Sequence, residues 1–200
     1  MRAPAGRIAR ILCVAAFALL GLAGCGADPY TYQGGKITPA QVAAPFTLTD
    51  QYGNPFSIAE QQGKVVMLYF GYTTCPDACP TTLSDWVEVQ RQLGDRAADV
   101  VFVMITVDPE RDTASKLEKY LNFFDPTFYG LTGTQEEITA IEQAYGIVAI
   151  REEYPQSATK YLMNHTTSSF VIDQDGKLRL VYAHGTDPAI IVEDLTHLID

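Results

Sequence analysis

Two strongly apolar runs with an amphipathic segment between them constrain the fold of this chain most. Residues 65–70 (VVMLYF) and 99–107 (DVVFVMITV) are rich in β-branched and aromatic residues, a composition typical of strands that are buried on both faces. Between the two runs, apolar residues recur near helical spacing at Leu83, Trp86, Val87 and Leu93. Strand, helix and strand in this order predict a parallel βαβ unit in an α/β protein.

Shorter strands are predicted on both sides of that unit. Residues 46–58 alternate about a polar turn and predict a β-hairpin. Residues 168–173 and 177–182 flank a Gln-Asp-Gly turn and predict a second hairpin. Residues 147–150 predict a short strand, and residues 151–160 predict a charged loop.

Three further helices complete the predicted order of elements. Residues 117–124 carry one apolar helical face, and Thr134 with Glu137 forms a capping box for a helix that Gly146 ends. Asp187, followed by a proline, starts the last helix. The resulting order (hairpin, strand, helix, strand, two helices, strand, hairpin, helix) is the thioredoxin-like arrangement with an extra N-terminal β-hairpin and an inserted helix.

A pair of thiols lies where the first buried strand leads into the helix. Cys75 and Cys79 are separated by three residues and stand among prolines (CPDACP). In α/β proteins this edge of the sheet is where ligands bind, and a helix amino terminus favours thiolate over thiol. The pair can therefore form a disulfide or hold a soft metal ion. A loop this short constrains the unfolded chain little, so a structural disulfide is the weaker explanation.

The first 24 residues predict an export signal. Residues 1–10 carry three arginines and no acid, and the apolar residues 11–24 are too few to span a bilayer. They end Leu-Ala-Gly before Cys25, which resembles a bacterial lipobox and predicts a lipid on Cys25; a plain secretory signal or an uncleaved anchor is the alternative. Residues 25–45 predict a tether, so the domain is expected over residues 46–200, outside the cytoplasm.

The charge of the exported chain limits its partners. Losing the three arginines of the signal leaves 11 basic and 24 acidic residues, a net charge of −13. Nucleic acid is excluded as a partner, because binding phosphates needs a basic surface. Electrostatic docking to anionic lipid is disfavoured for the same reason, so the lipid on Cys25 is the expected membrane contact.

Three histidines are available to complete a metal site with the thiols. Thiolate and imidazole ligands both suit copper. His165 comes just before the strand predicted from residue 168, and in a thioredoxin-like sheet that segment faces the cysteine loop. His165 is therefore either the third ligand or an ordinary loop histidine. His184 and His197 are expected to be structural or solvated.

Three other side chains are candidates for supporting the site. Asp108, at the end of the second buried strand, either supports the site or forms a turn before Pro109. Asp77, between the thiols, either meets the metal or favours the helix dipole. Met163 lies next to a predicted strand, and a methionine in such a place more often fills the core than serves as a soft metal ligand.

The motifs together closely resemble the Sco (SenC) family. The segments that carry the resemblance are YFGY (69–72), CPDACP (75–80), TVDPERDT (106–113), GLTGT (130–134), His165 and IDQDG (172–176). It covers the chain from about residue 40 to the carboxyl end. Thr74 and Asn164 differ from the residues that are commonest at these positions in the family. Neither difference removes a ligand, but both change the residues that surround the ligands.

The resemblance implies a thioredoxin-like, membrane-tethered domain outside the cytoplasm. It implies one copper ion per domain, held by Cys75, Cys79 and His165, with Asp108 near the site. It also implies a metallochaperone rather than an enzyme. Such a protein delivers copper to the binuclear copper centre of cytochrome c oxidase, with the copper-bearing oxidase subunit or another copper chaperone as its partner.

Other functions remain open on the residues alone. A thiol–disulfide oxidoreductase that keeps the oxidase cysteines reduced would use Cys75 and Cys79 as its redox pair. The Cys-x-x-x-Cys spacing and the lack of a proline between Pro155 and Pro188 weigh against that function. A peroxiredoxin is disfavoured, because no threonine stands three residues before either cysteine. Zinc on two cysteines, one histidine and water is a further possibility.

Overall fold

The computed structural model describes residues 30–200, which contain ten strands and four α-helices. The strands are β1 (Gly35–Val42), β2 (Thr47–Thr49), β3 (Pro55–Ser57), β4 (Val65–Gly71), β5 (Val100–Thr106), β6 (Tyr129–Leu131), β7 (Ala149–Tyr154), β8 (Lys160–His165), β9 (Ser169–Ile172) and β10 (Lys177–Tyr182). The helices are α1 (Ala78–Leu93), α2 (Ala114–Asn122), α3 (Gln135–Tyr145) and α4 (Pro188–Ile199). None of the helices in this range is both long and apolar enough to cross a bilayer.

A six-stranded mixed sheet organises these elements in the order β1-β10-β9-β4-β5-β6. The strands β4 and β5 pair in parallel from Val65 opposite Val100 to Gly71 opposite Thr106. Every residue of β4 is buried, as the uninterrupted apolar run predicts. The predicted βαβ unit and the α/β class are thus confirmed.

The aromatic core lies under α1 and keeps that helix against the sheet. The ring of Trp86 packs edge-on against Tyr69 and Phe128, with centroids 6.1 and 5.8 Å away, and tilted against Phe102 at 5.4 Å. Such pairs stabilise beyond the area they bury. Because Tyr69 also borders the cysteine loop, this packing connects the core to the candidate site.

The predicted start and end of α3 and the predicted start of α4 agree with the structure, whereas α2 ends at Asn122, before the predicted Phe124. Thr134 and Glu137 form a reciprocal capping box at the start of α3, and Gly146 ends the helix in the left-handed conformation at φ 67°. The side chain of Asp187 accepts a hydrogen bond from the backbone N–H of Ala189 at the start of α4. The predicted hairpin near the amino terminus is present as β2 and β3.

The domain begins earlier than its amino-acid pattern predicts. Residues 25–45 are predicted to form a tether, yet β1 lies within them and pairs antiparallel with β10 at the edge of the main sheet. Most side chains of β1 are exposed. The strand is therefore stabilised by its backbone ladder rather than by an apolar pattern, and its polar composition resembles that of a loop. Cys25 lies outside the described residues.

The second difference concerns residues 149–165. The charged loop predicted over residues 151–160 is instead largely a hairpin, in which β7 and β8 form their own two-stranded sheet. Nearly every side chain of β7 is exposed, so charged residues are tolerated and the period-2 pattern is lost. The short strand β6 was also missed, because three residues are too few to show a period.

Candidate metal site

The two thiols lie at the edge of the sheet that the sequence indicated. The strand β4 ends at Gly71, and α1 begins at Ala78. Cys79, in the first turn of α1, has no exposed surface, whereas Cys75 in the preceding loop is half-buried. The backbone N–H of Cys79 points at the Cys75 sulfur, 3.4 Å away. The two thiols are free rather than joined as a disulfide.

The structure brings His165 to the same point. His165 is the last residue of β8, and its Nε2 lies 3.6 Å from the sulfur of Cys79. The ligand atoms of Cys75, Cys79 and His165 all lie within 4.8 Å of one another. No other His, Cys, Asp or Glu among residues 30–200 belongs to this group. The cluster thus unites the three residues that the sequence singled out.

A backbone contact sets which nitrogen of His165 is free. Nδ1 lies 2.9 Å from the carbonyl oxygen of Thr166. A carbonyl only accepts hydrogen bonds, so Nδ1 carries the proton and Nε2 keeps its lone pair. The rings of Tyr69 and Tyr72 meet the imidazole edge-on, with centroids 6.0 and 5.6 Å away. The ring is therefore oriented with its free nitrogen toward the sulfurs.

The two thiols differ in acidity. A hydrogen bond from the Cys79 thiol lowers the pKa of Cys75 to about 3; burial opposes this shift, and hydrogen bonds from the backbone N–H groups of Asp77 and Cys79 add to it. Burial raises the pKa of Cys79, and the neighbouring Cys75 raises it further. The Tyr69 hydroxyl donates to the Cys79 sulfur over 3.4 Å. The pair therefore holds one proton on Cys79 and a thiolate on Cys75.

This donor set fits a soft metal ion. Two sulfurs and one imidazole nitrogen match Cu(I), and imidazole also accepts Cu(II). A closed structural zinc site needs four protein ligands, and this cluster supplies three. Metal binding displaces the remaining thiol proton. The arrangement suits a cation that enters from the side of the half-buried Cys75.

Gly71, which has no side chain, lies directly against the buried thiol of the cluster. A Cβ at this position would lie 2.6 Å from the Tyr69 ring and 3.1 Å from the Cys79 sulfur. Any larger residue would displace one of these groups. The glycine therefore allows the strand to pass directly beneath the buried thiol.

The two predicted supporting aspartates lie outside the cluster. Asp108 is buried, accepts a hydrogen bond from the Tyr161 hydroxyl over 2.8 Å and forms an ion pair with Arg111. It therefore acts on the hairpin that carries His165 rather than on the thiols. Asp77 is exposed and its side chain makes no capping hydrogen bond to α1.

Arg111 connects the β5–α2 loop to the β7–β8 hairpin, a role that the sequence did not reveal. Its Nη1 donates to the carbonyl oxygens of Thr159 and Tyr161, each 3.0 Å away. Its guanidinium lies 3.5 Å from the centre of the Tyr161 ring, and that of Arg151 lies 3.6 Å from the same ring. These contacts hold β8, and with it His165, beside the loop.

Asp112 holds the cysteine loop and was also missed as a functional residue. It is buried and accepts hydrogen bonds from the Thr73 backbone N–H (2.9 Å), the Thr73 hydroxyl (2.6 Å) and the Thr106 hydroxyl (2.8 Å). Burial raises the pKa of Asp112, and the Thr73 and Thr106 bonds oppose that rise. Its only sequence signal was its place in the polar segment that follows β5.

The other candidate ligands lie elsewhere. His184 is exposed, and its Nδ1 lies 3.3 Å from the Thr82 hydroxyl. His197 is exposed on α4 and contacts the ring of Tyr32. Met163 is half-buried and packs against the hydrophobic core. Both histidines are thus placed as the sequence analysis expected.

Comparisons with known proteins extend these observations. A family model described as SCO1/SenC matches residues 34–200. An SCO2-like protein of Rickettsia felis is 34% identical over 155 residues, which cover 78% of this chain and 76% of the relative.

Two solved structures are similar over the same region. ScoI of Bradyrhizobium japonicum with copper bound is 36% identical, with a TM-score of 0.72 over 78% of this chain and 99% of that one. The solution structure of apo Sco1 from Thermus thermophilus is 32% identical, with a TM-score of 0.75 over 86% of this chain and 99% of that one. Sco structures have a thioredoxin-like fold, which confirms the predicted fold class. The family match also includes the three cluster residues and the six-stranded sheet.

Proposed function

The chain belongs to the SCO1/SenC family, and from that premise we propose that it is a copper metallochaperone. Copper is its cargo, one ion per domain, held by the sulfurs of Cys75 and Cys79 and by Nε2 of His165. The ion is destined for the binuclear copper centre of cytochrome c oxidase. The recipient is the copper-bearing oxidase subunit or another copper chaperone.

One observation carries this proposal: three donor atoms suited to copper converge within 4.8 Å from elements far apart in the chain. A carrier must release its ion as well as bind it. Three ligands leave a position open for an incoming ligand of the acceptor, and the half-buried Cys75 is more accessible than Cys79. Transfer then proceeds by ligand exchange. A solved relative, ScoI of Bradyrhizobium japonicum, has copper bound.

The proposal also includes the cellular location of the protein. The signal-like residues 1–24 and the lipobox ending at Cys25 support export and a lipid anchor on that cysteine. The domain then works outside the cytoplasm, in the bacterial cell envelope, and contacts the membrane through its lipid. Because the exported chain is strongly acidic, we expect it to bind neither nucleic acid nor the surface of an anionic membrane through charge alone.

Metal titration of the reduced chain tests the function. The parent is expected to bind one Cu(II) at a site with sulfur and nitrogen ligands visible by spectroscopy. His165→Ala should weaken Cu(II) binding by more than about 100-fold, because it removes a ligand and not merely an outer contact. His197→Ala, at an exposed histidine of α4, serves as the matched control and should bind like the parent.

Two outcomes would contradict the copper-carrier function. One is a His165→Ala variant that is folded and binds copper as tightly as the parent does. The other is a parent protein that binds zinc in preference to copper under reducing conditions. Circular dichroism of each variant separates loss of a ligand from loss of the fold.

The acidity of the thiols favours a second candidate function, a thiol–disulfide oxidoreductase. An accessible thiolate on Cys75 beside a buried thiol on Cys79 is the arrangement that thiol–disulfide exchange requires. Catalytic reduction of a disulfide substrate by metal-free protein supports it if Cys75→Ser abolishes turnover and His165→Ala does not. Absence of turnover leaves the copper carrier as the function of the pair.

A further inference from the structure

A carboxyl group interrupts the apolar face of α3. Ile138, Ile141 and Tyr145 of this helix are buried, as the helical period predicts. Glu142 occupies a fourth position on the same buried face and is only 8% exposed. Glutamate is rarely found so deeply buried unless it is paired. The residue therefore calls for an explanation that core packing does not supply.

One oxygen of that carboxyl group has no partner. Among the described residues, Oε1 of Glu142 is buried and makes no hydrogen bond. An unsatisfied buried oxygen costs the full desolvation of the group, and in native structures such atoms often mark a functional role or the place of an ion. A leucine or methionine would fill this position at no such cost.

The end of α3 is joined to the segment that carries the histidine of the cluster. The carbonyl oxygen of Glu142 accepts a hydrogen bond from the N–H of Ile147 over 2.7 Å. The N–H of Val148 donates to the Thr166 hydroxyl (3.1 Å), and the N–H of Thr166 donates to the carbonyl oxygen of Val148 (2.9 Å). Thr166 in turn accepts the Nδ1 proton of His165. The helix end and the imidazole thus share one hydrogen-bonded segment.

The carboxyl group and the imidazole also interact through space. Burial raises the pKa of Glu142, and the neighbouring His165 opposes that rise. Glu142 is not close enough to join the three ligand atoms. Its effect on the site is therefore electrostatic, and in a partly desolvated setting such an effect is stronger than in water.

The charge of the loaded site depends on the oxidation state of the metal. With both thiols deprotonated, two thiolates and one neutral imidazole give a neutral complex with Cu(II) and a complex of charge −1 with Cu(I). A fixed negative charge nearby repels the second complex and leaves the first largely unaffected. The reduced state is therefore the one that a buried carboxylate disfavours.

We propose that Glu142 tunes the copper site electrostatically from outside the ligand set, and that its buried carboxylate favours divalent over monovalent copper. This inference rests on the copper-carrier function proposed above and adds a determinant of which oxidation state the protein holds. A carrier biased in this way loads Cu(II) readily and releases the ion more easily once an external one-electron reductant has converted it to Cu(I).

The test measures the affinity of the full chain, reduced at its thiols, for both oxidation states of copper at pH 8. Glu142→Gln keeps the shape and removes the charge. The ratio of the Cu(II) to the Cu(I) association constant is expected to fall about tenfold, which corresponds to a rise of about 59 mV in the reduction potential of the bound ion. Glu142→Met, which places an apolar side chain at this position, should raise the potential in the same direction.

Glu136→Gln is the matched control, since Glu136 is exposed on the same helix. Its ratio should equal that of the parent, whereas an equal shift in this control would attribute the effect to net charge and overturn the inference. A parent that binds copper, with unchanged ratios in both Glu142 variants, overturns this inference alone. A parent that binds no copper overturns the proposed function and this inference together.

Discussion

At the scale of single residues, two identical side chains perform different tasks because their surroundings differ. Cys75 accepts hydrogen bonds at the edge of the fold, whereas Cys79 is enclosed by the core and by Tyr69. Gly71 makes room for the buried sulfur. The thiolate that first meets a metal or a disulfide is therefore Cys75, and Cys79 completes the site from within.

The reactivity of Cys75 should be independent of pH across the neutral range. Its pKa is lowered to about 3, so the thiolate is fully formed at every pH from 5 to 8, and its alkylation rate should stay flat. An ordinary thiol, with a pKa of about 8.5, gains about tenfold per pH unit over that range. Iodoacetamide kinetics on metal-free protein, with peptide mapping by mass spectrometry, measure the rate at this cysteine.

Cys79→Ala provides the comparison for that experiment. It removes the thiol that donates to Cys75, so the pKa of Cys75 should rise and the pH dependence of alkylation should return. A parent rate that climbs tenfold per pH unit would show that Cys75 is an ordinary thiol. The acidity argument would then be wrong, whatever the metal affinity.

At the scale of elements, the site depends on two polar attachments. Asp112 ties the cysteine loop to the end of β5. Arg111 ties the β7–β8 hairpin to the loop after β5. This hairpin is a two-stranded sheet with few buried side chains, and such hairpins are only marginally stable alone. The position of His165 is therefore set by its attachments rather than by the hairpin itself.

Arg111→Lys should loosen the hairpin while the sheet stays intact. Lysine lacks the planar fork that reaches two carbonyls and stacks on Tyr161. We expect the amides of β8 to exchange hydrogen about tenfold faster or more, and copper affinity to fall about tenfold. Hydrogen exchange with mass spectrometry and metal competition measure these two effects.

The control for that variant is Arg91→Lys. Arg91 is exposed on α1 and pairs with Glu88, so its replacement should change neither quantity. Unchanged exchange in β8 of Arg111→Lys would contradict the attachment, and the packing of Tyr161 alone would then account for the position of the hairpin.

At the scale of the whole molecule, the strand that opens the domain enters the sheet at the end that carries the thiols. The strand β1 is antiparallel to β10, β10 to β9, and β9 to β4, so Gly35 and Gly71 lie at the same end of the sheet. The buried Asp194 of α4 secures this entry by accepting hydrogen bonds from the backbone N–H groups of Gln33 and Gly34. Residues 33 and 34 therefore enter the domain at the end of the sheet that carries the metal-binding cluster.

Asp194→Ala should destabilise the fold without altering the metal site. It removes a buried carboxylate that also accepts the Tyr182 hydroxyl over 2.9 Å, and we expect the free energy of unfolding to fall by about 3 kcal/mol. Urea denaturation measures it, with Glu193→Ala, at the exposed neighbour, expected within about 0.5 kcal/mol of the parent. A loss of copper affinity in folded Asp194→Ala would show instead that the entry segment shapes the site.

Local pattern determined a large part of this protein. The two apolar runs, the helical spacing between them and the capping residues of α3 and α4 predicted the βαβ unit and the helix boundaries, because buried strands and helix ends depend on neighbouring residues. The position of the thiols followed from the same pattern. The sequence motifs also predicted the family.

Tertiary structure alone decided the rest. The strands β1, β7 and β8 carry mostly exposed side chains and depend on backbone partners far away in the chain, so no local period marks them. His165 lies 86 residues from Cys79, and Glu142 belongs to a different helix. Whether such groups meet depends on sheet register and strand order, which residues close in sequence do not encode.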